Sequence, residues 1–437
     1  MDVTTAAQKG LRVGNSIRAG ALGLGMLVAA TIPALAQTAS VPGGVTMTFG
    51  FSQRLEYDDN PQLAATSPGG SSLSTTRLTF ALSSETATQK LSLNTGTALR
   101  WSGGSAAQGA VTIDDPQLDL KYSIDVGSSS LSVGANYRRS DIQFLRPLSD
   151  FTLPDGTIVL PPDLNDLTGT GFRTDYGVNG ALSWGGNGPL GITLNLGLQG
   201  LEYDKVTNPA LVDNQRQNAG VLVRMRLNDT TDATANLTFS RFEQNPGLTR
   251  AYTRGINLGI TRALPNGTLG ATVGTSNTSA GTRLNFDVNR VMTLPSGSLT
   301  AGLGITRPAG GNYGVTGRLN WQYALPSGNL NAQLSRGVTV TNANTEQLQT
   351  VVSVKYNQAL TARDGLSLDV TYSLSDPSGV SNNVANTSIG ASYSRSLTPD
   401  WNMNFGYTHR MRDPEAAAGA NSNNVFISLQ RSFAIRP

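Results

Sequence analysis

The chain has 437 residues with no cysteine, one histidine, 49 glycines and only 14 % charged residues. The missing cysteine excludes disulfides, thiolate metal sites and a lipidated N-terminal cysteine, and so little charge beside so much glycine is an unusual balance for a soluble domain. The formal net charge of +3 falls to +1 once the N-terminal segment is set aside (29 basic less 28 acidic residues), so charge argues for no nucleic-acid partner.

Residues 1–36 read as a secretory signal peptide. Lys9, Arg12 and Arg18 precede an apolar run over residues 19–30, and Ala34-Leu35-Ala36 is an A-x-A cleavage site. The run falls short of the roughly 20 apolar residues a spanning helix needs. Residues 37–437 then form the mature part, in which no stretch approaches a transmembrane helix, so a membrane location requires a β-barrel.

Alternating runs begin near Val45, Leu73, Lys90, Val111, Leu131, Phe172, Leu190, Asn218, Ala233, Tyr252, Thr268, Thr282, Ser298, Tyr313, Asn329, Gln347, Leu366, Asn386, Trp401 and Asn424, which makes 20. In one of them Leu299, Ala301, Leu303 and Ile305 point one way, and Thr300, Gly302, Gly304 and Thr306 the other. Three tips repeat one unit: Leu264-Pro265-Asn266-Gly267, Leu294-Pro295-Ser296-Gly297 and Leu325-Pro326-Ser327-Gly328. Pro presets the first φ of a turn and Gly supplies a positive φ, so each tip closes a hairpin. Successive tips lie 30 or 31 residues apart, room for two strands of about a dozen residues, the length of a tilted bilayer-crossing strand rather than a sandwich strand. Short turns alternate with longer loops, and the count is even. The expectation is a closed antiparallel transmembrane β-barrel of about 20 strands with short turns and both termini on the periplasmic side.

Aromatic residues sort to strand ends on the apolar parity. Tyr122, Trp184, Trp321, Tyr323, Tyr356, Tyr393 and Trp401 lie toward the short turns, and Tyr57, Trp101, Tyr137, Tyr176, Tyr252, Tyr372 and Tyr407 toward the longer loops. These are the two girdles of a barrel surrounded by outer-membrane lipids. Arg254, Arg290 and Arg395 on that parity also sit near strand ends, where they can snorkel. Arg336 departs from this pattern and predicts a local register slip.

The final run places Val425, Ile427, Leu429 and Phe433 outward and resembles the C-terminal targeting strand of Gram-negative outer-membrane proteins, although Arg431 interrupts it and four residues follow the Phe. The first run ends in Glu56-Tyr57-Asp58-Asp59-Asn60-Pro61, which is similar to the turn that ends the first strand in the β-barrel porin families of Proteobacteria. The resemblance implies the outer membrane of a Gram-negative bacterium. Some members of those families accompany polysaccharide export, so it supports location better than activity.

His409 falls on the outward parity, with Tyr407 and Met411 in the neighbouring places where a lipid-facing Ser-His-Asn set would need a serine. No enzyme, transition-metal site or cofactor is expected. Glu56, Asp58, Asp59 and Asn60 fit either ordinary turn chemistry or hard oxygen ligands for Ca²⁺ without the Gly-bearing loop of a dedicated site.

The inward parity carries charge. Arg54, Arg77, Arg100, Lys121, Arg138, Arg224, Arg226, Arg318, Lys355 and Arg410 are predicted to line the pore, against Glu56, Asp119, Asp125, Asp175, Asp287 and Asp369. Charges in such number require a wet interior. Ten cations facing six anions fit either an anion-favouring field or a mutually neutralised wall. The longest connection, residues 146–171, carries Asp150, Asp155, Asp163 and Asp166 and an apolar, Pro-bounded segment centred on Asp155-Gly156. It holds the ordinal place of the third outer loop of general porins, which folds into the bore; an outward-standing loop fits the same residues.

The expected function is a passive, porin-like channel for small polar solutes. The alternative is a non-conducting envelope barrel or one associated with polysaccharide export.

Overall fold

The computed structural model describes residues 44–437 except 105–110, 147, 152–157, 245–248, 342–343, 378–382 and 437. The expected signal segment and the Asp155-Gly156 turn lie outside the described residues.

Twenty strands follow one another: β1 (Gly44–Asp58), β2 (Ser71–Glu85), β3 (Gln89–Gly104), β4 (Val111–Val126), β5 (Ser129–Asp141), β6 (Phe172–Trp184), β7 (Leu190–Asp204), β8 (Asn214–Asn228), β9 (Thr231–Gln244), β10 (Thr249–Leu264), β11 (Gly267–Thr278), β12 (Gly281–Leu294), β13 (Gly297–Arg307), β14 (Gly314–Leu325), β15 (Gly328–Val340), β16 (Glu346–Ala359), β17 (Asp364–Pro377), β18 (Val384–Ser396), β19 (Trp401–Pro414) and β20 (Ala420–Ile435). Each pairs antiparallel with the next, and β20 pairs with β1 from Met47 opposite Ile435 to Asp58 opposite Asn424. The sheet is a closed barrel with no free edge. The expected runs begin within four residues of these strands, the widest gaps being Asn218 against Asn214 and Asn424 against Ala420.

The faces alternate as period two demands. Leu55, Tyr57, Leu78, Trp101, Leu303, Phe405 and Ile427 are exposed on the outside, Leu303 to 73 %. Arginine, carboxylate and amide side chains occupy the inside. An apolar exterior around a polar interior inverts a soluble protein and suits a bilayer.

At the repeated tips, Gly267 and Gly297 have φ of 132° and 153°. Gly328 does not share the positive φ expected there. Its requirement is space, because a Cβ at any of the three would overlap a neighbouring carbonyl, that of Val291, Gln322 or Asn357 in turn.

One strand breaks the alternation. In β4 the pairing to β3 shifts between Gly96 and Ala98, so Asp115 and Pro116 bulge opposite Thr97. Pro116 has no N–H for the ladder, and Asp115 takes φ 54°, a conformation Asp tolerates better than most residues. The extra residue keeps Val111 and Ile113 on one side of the bulge, and Leu118 on the other, all facing outward. It also turns both Asp114 and Asp115 inward, where they are 3 % and 1 % exposed.

The register slip expected at Arg336 does not occur: β15 pairs without interruption with both neighbours. Arg336 stays on the outward parity and directs its guanidinium to Thr350 Oγ1 at 2.7 Å and to Asp376 Oδ2 at 3.9 Å. Asp376 lies near the end of β17, so the side chain extends toward the rim.

Replacing Leu303 by Arg is expected to hinder barrel assembly, at a cost of about 2–4 kcal/mol for a mid-wall arginine in lipid, whereas Thr300→Arg on the inward face of β13 is tolerated. The yield of heat-modifiable folded barrel measures both, and equal tolerance would contradict the assignment of faces.

Candidate pore and its loop

The inward charges divide the bore into two unlike arcs. On β1 to β6, β19 and β20 they are paired. Arg54 Nε lies 2.6 Å from Glu56 and its guanidinium stacks 3.6 Å above the Phe426 ring. Arg77 and Arg138 both reach Asp115, Arg138 at 3.0 Å, and Arg100 reaches Asp114. Ser140 Oγ donates to Asp115 at 3.0 Å. Arg410, nearly inaccessible, donates to Asp58 at 2.6 Å, and Ser422 Oγ donates to the same carboxylate.

On β4, in the same arc, Lys121 sits 3.4 Å from Asp119 and both are well exposed, unlike the buried pairs around them. On the remaining wall the charges stand farther apart. Arg224 donates to the carbonyls of Gly185, Gly186 and Gly188 in the turn between β6 and β7, and Asp232 lies 3.5 Å from Arg224 and 3.9 Å from Arg226. Lys355 is opposite Asp369 in the β16–β17 register. Arg318 and Asp287 border a recess of about 660 Å³ on β9 to β16.

The connection between β5 and β6 turns into the barrel. Near its start Arg146 pairs with Glu56 of β1, and the Arg146 N–H donates to Asp150 at 2.8 Å. Burial lowers the Arg146 guanidinium to about 10, with Asp150 opposing the change. Farther on, the Ile158 N–H donates to Gln333 Oε1 at 3.2 Å, in the middle of β15 on the far wall. Arg412 of β19 donates to Asn165 O at 2.9 Å. Asp163 is fully buried, taking bonds from Arg173 Nε at 2.7 Å and Tyr203 OH at 2.6 Å. Beneath the loop, Ile142, Leu145, Leu167 and Leu211 form a small apolar core.

The predicted pore residues thus share an interior without sharing a role. Arg54, Arg77, Arg100, Arg138 and Arg410 are bound to carboxylates, Lys121 and Asp119 form an exposed pair on β4 of the same arc, and Arg224, Arg226, Arg318, Lys355, Asp287 and Asp369 belong to the other wall. Asp175 accepts from Arg173 at 3.3 Å and from Asn136 at 3.0 Å. Of the loop carboxylates, Asp150 and Asp163 are bonded as described, Asp166 lies near Arg412, and Asp155 is outside the described residues.

Sequence reasoning passed over Asp114, Asp115, Arg146, Arg173 and Arg412. Pro116 inside a strand was the available mark of the bulge. Arg173 shares the parity of Asp175, and Arg412 that of Arg410. Glu56 and Asp58 serve as arginine partners, and no group of three or more metal-ligating side chains occurs among the described residues. His409 Nδ1 is 2.9 Å from Asn423 Oδ1, which also accepts from Tyr407 OH at 2.6 Å. Asp59 accepts from the Asn423 amide nitrogen at 2.7 Å. That contact orients the amide so that its oxygen faces the imidazole, and Nδ1 must be the protonated nitrogen.

No protein-family model matches the sequence, and no curated protein matches it. Among solved structures the chain is similar to the siderophore receptor PirA from Pseudomonas aeruginosa, with 10 % identity, coverage of 91 % of this chain and 81 % of that one, and a TM-score of 0.48. It is also similar to OccK9 (OpdG) from Pseudomonas aeruginosa, with 14 % identity, coverage of 89 % and 98 %, and a TM-score of 0.40. For OpdK from the same organism, solved with vanillate, the values are 12 %, 89 % and 99 %, and 0.41.

Burial, and then Asp163, raise the Asp166 carboxyl above its ordinary range, against the pull of Arg412. The docked loop therefore holds that proton more tightly than a free loop would. Docking is strongest below the ordinary carboxylate range and weakens as pH rises through the raised value. A spin label at Thr168→Cys, in this cysteine-free chain, is expected to gain mobility between acid and neutral pH, and Asp166→Asn to remove that change. Identical profiles in the two backgrounds would exclude Asp166 as the titrating group.

Proposed function

We propose that the protein is a channel of the outer membrane of a Gram-negative bacterium, through which small polar solutes diffuse passively. The observation that carries this is the recess of about 660 Å³ inside the closed barrel, bounded mostly by polar residues of β9 to β16. A ring of 20 strands is wider than its own inward side chains can fill. The apolar exterior, with Tyr57, Trp101, Tyr252 and Tyr407 exposed toward one end and Trp184 toward the other, supports contact with membrane lipid.

In this reading the loop narrows the bore. It spans from Glu56 on β1 to Gln333 on β15 and so displaces water from one side of the lumen. Lys121, Arg224, Arg226, Arg318, Lys355, Asp119, Asp287 and Asp369 stand along the water path. The pairs on the β1 to β6 arc hold wall and loop together. Arg146, Arg173 and Arg412 add to the cations of the predicted wall, but carboxylates at Asp58, Asp114, Asp115, Asp150, Asp163 and Asp166 nearly balance the whole set, which leaves a weak ion preference.

Purified protein in a planar bilayer is expected to conduct, with a small reversal potential under a salt gradient. Deleting residues 153–160 is expected to raise the conductance. Unchanged conductance after the deletion would place the constriction elsewhere. No conductance from folded protein in either form would reject the channel and leave the non-conducting envelope barrel, such as one serving polysaccharide export.

A further inference from the structure

Between its charged residues, the inward face of β5 to β12 carries rows of asparagine and glycine. Across neighbouring strands Asn179 is opposite both Gly134 and Gly197, and Gly197 is opposite Asn218. A parallel row runs from Asn236 to Asn257, then Gly274, then Asn285. The glycines are the space in which the amides lie. A Cβ at Gly134 would come 2.6 Å from the Asn179 amide oxygen, and one at Gly274 would collide with that of Asn257 and come 2.7 Å from that of Asn285. Glycine on one strand thus lets asparagine on the next lie along the wall in a restricted orientation.

These rows face two adjoining recesses that share Thr238 of β9, one of about 430 Å³ over β5 to β9 and the one of about 660 Å³ over β9 to β16. No charged residue borders the first. In the second, Arg283 is 3.5 Å from Glu346, and Asp287 lies on the same wall as Arg318. Asparagine amides of this kind both donate and accept hydrogen bonds. A hydroxyl does the same, so adjacent amides suit adjacent hydroxyls, whereas a carboxylate accepts only and an ammonium donates only. An ion leaving water for the uncharged wall of the first recess also loses hydration that neutral amides do not replace. Asn236 and Asn257 are directly opposite in the register, which sets their Cβ atoms roughly 5 Å apart, close enough for one solute to bridge.

We propose that this amide-lined wall is a binding station for neutral polyhydroxylated solutes, sugars or polyols, which pass in preference to ions of the same size. The proposal rests on the channel reading above and adds the class of solute. Glucose, protonated glucosamine and glucuronate are size-matched probes of the three charge types. In proteoliposomes carrying the full barrel, labelled glucose is expected to enter faster than either ion and with a flux that saturates. Asn236→Leu combined with Asn257→Leu keeps the side-chain size, and is expected to lower the ratio of glucose to chloride flux by about threefold or more, the effect of losing a hydrogen bond or two. Glucose flux that never saturates, an order of entry set by charge, or a double variant that keeps the wild-type ratio would each overturn the proposal while chloride still passes. Folded wild-type protein that passes neither chloride nor glucose would overturn the channel reading beneath it.

Discussion

A sheet that lies in a bilayer cannot leave a strand edge open, because each unpaired backbone N–H or C=O in hydrocarbon costs several kcal/mol. The rest of this molecule depends on β20 finding β1 across the whole length of the chain. The outer end of that seam is bolted by side chains. Asp58 takes bonds from Arg410, Ser422 and Asn424, Asp59 takes the Asn423 N–H, and the Asn60 amide donates to Asn421 O. A slip of one residue would exchange the lipid and lumen faces of β20 and part Asp58 from Arg410. Leaving either of those two buried and alone costs about 3–5 kcal/mol, so the pair acts against the wrong register more than it adds to stability in the right one. The Tyr-Asp-Asp-Asn-Pro sequence is thus both the exit turn of the first strand and the clamp on the last.

With closure secured, the interior can be asymmetric. Charges gather where the loop needs anchors, and there they are cancelled nearly one for one. The bulge at Pro116 is what makes this possible, since it supplies two inward carboxylates in succession where a regular strand supplies one. Asp115 then serves Arg77 and Arg138 at once. The opposite arc, free of that task, carries rows of asparagine and glycine between more widely spaced charges. Paired charge makes one side of the lumen a scaffold for the loop.

Much of this was legible in the sequence because a barrel wall repeats one local rule. Period-two alternation gave each strand its faces, and Leu303, Tyr57 and Arg54 stand where their parity puts them. The tips were legible through proline and glycine, although for Gly328 the governing reason is a neighbouring carbonyl rather than its own φ. Parity counting failed at Asp114, because one inserted residue changes the face of everything on one side of it. The partners of the luminal arginines were hidden for another reason: Arg146 meets Glu56 across 90 residues of sequence, and Arg410 meets Asp58 across 352. No local pattern records such meetings. Arg336 shows the converse. Its parity was right, and the long side chain, not the register, accommodates the charge.

The loop's anchors also order its assembly. Arg146 is held by β1, Asp163 by β6, Asn165 by β19 and Ile158 by β15, so no contiguous part of the chain offers all four. Those sites come within reach of one loop only when β1 and β20 have joined. Docking is therefore a late event, because contacts of high sequence separation form only after the closure that brings them together. Glu56 and Asp58 are two residues apart on the inward face of β1, one anchoring the loop and the other the seam. Strain at the seam is thus felt by the loop through a single short stretch of backbone, and the docked loop is a feature that only the closed barrel can have.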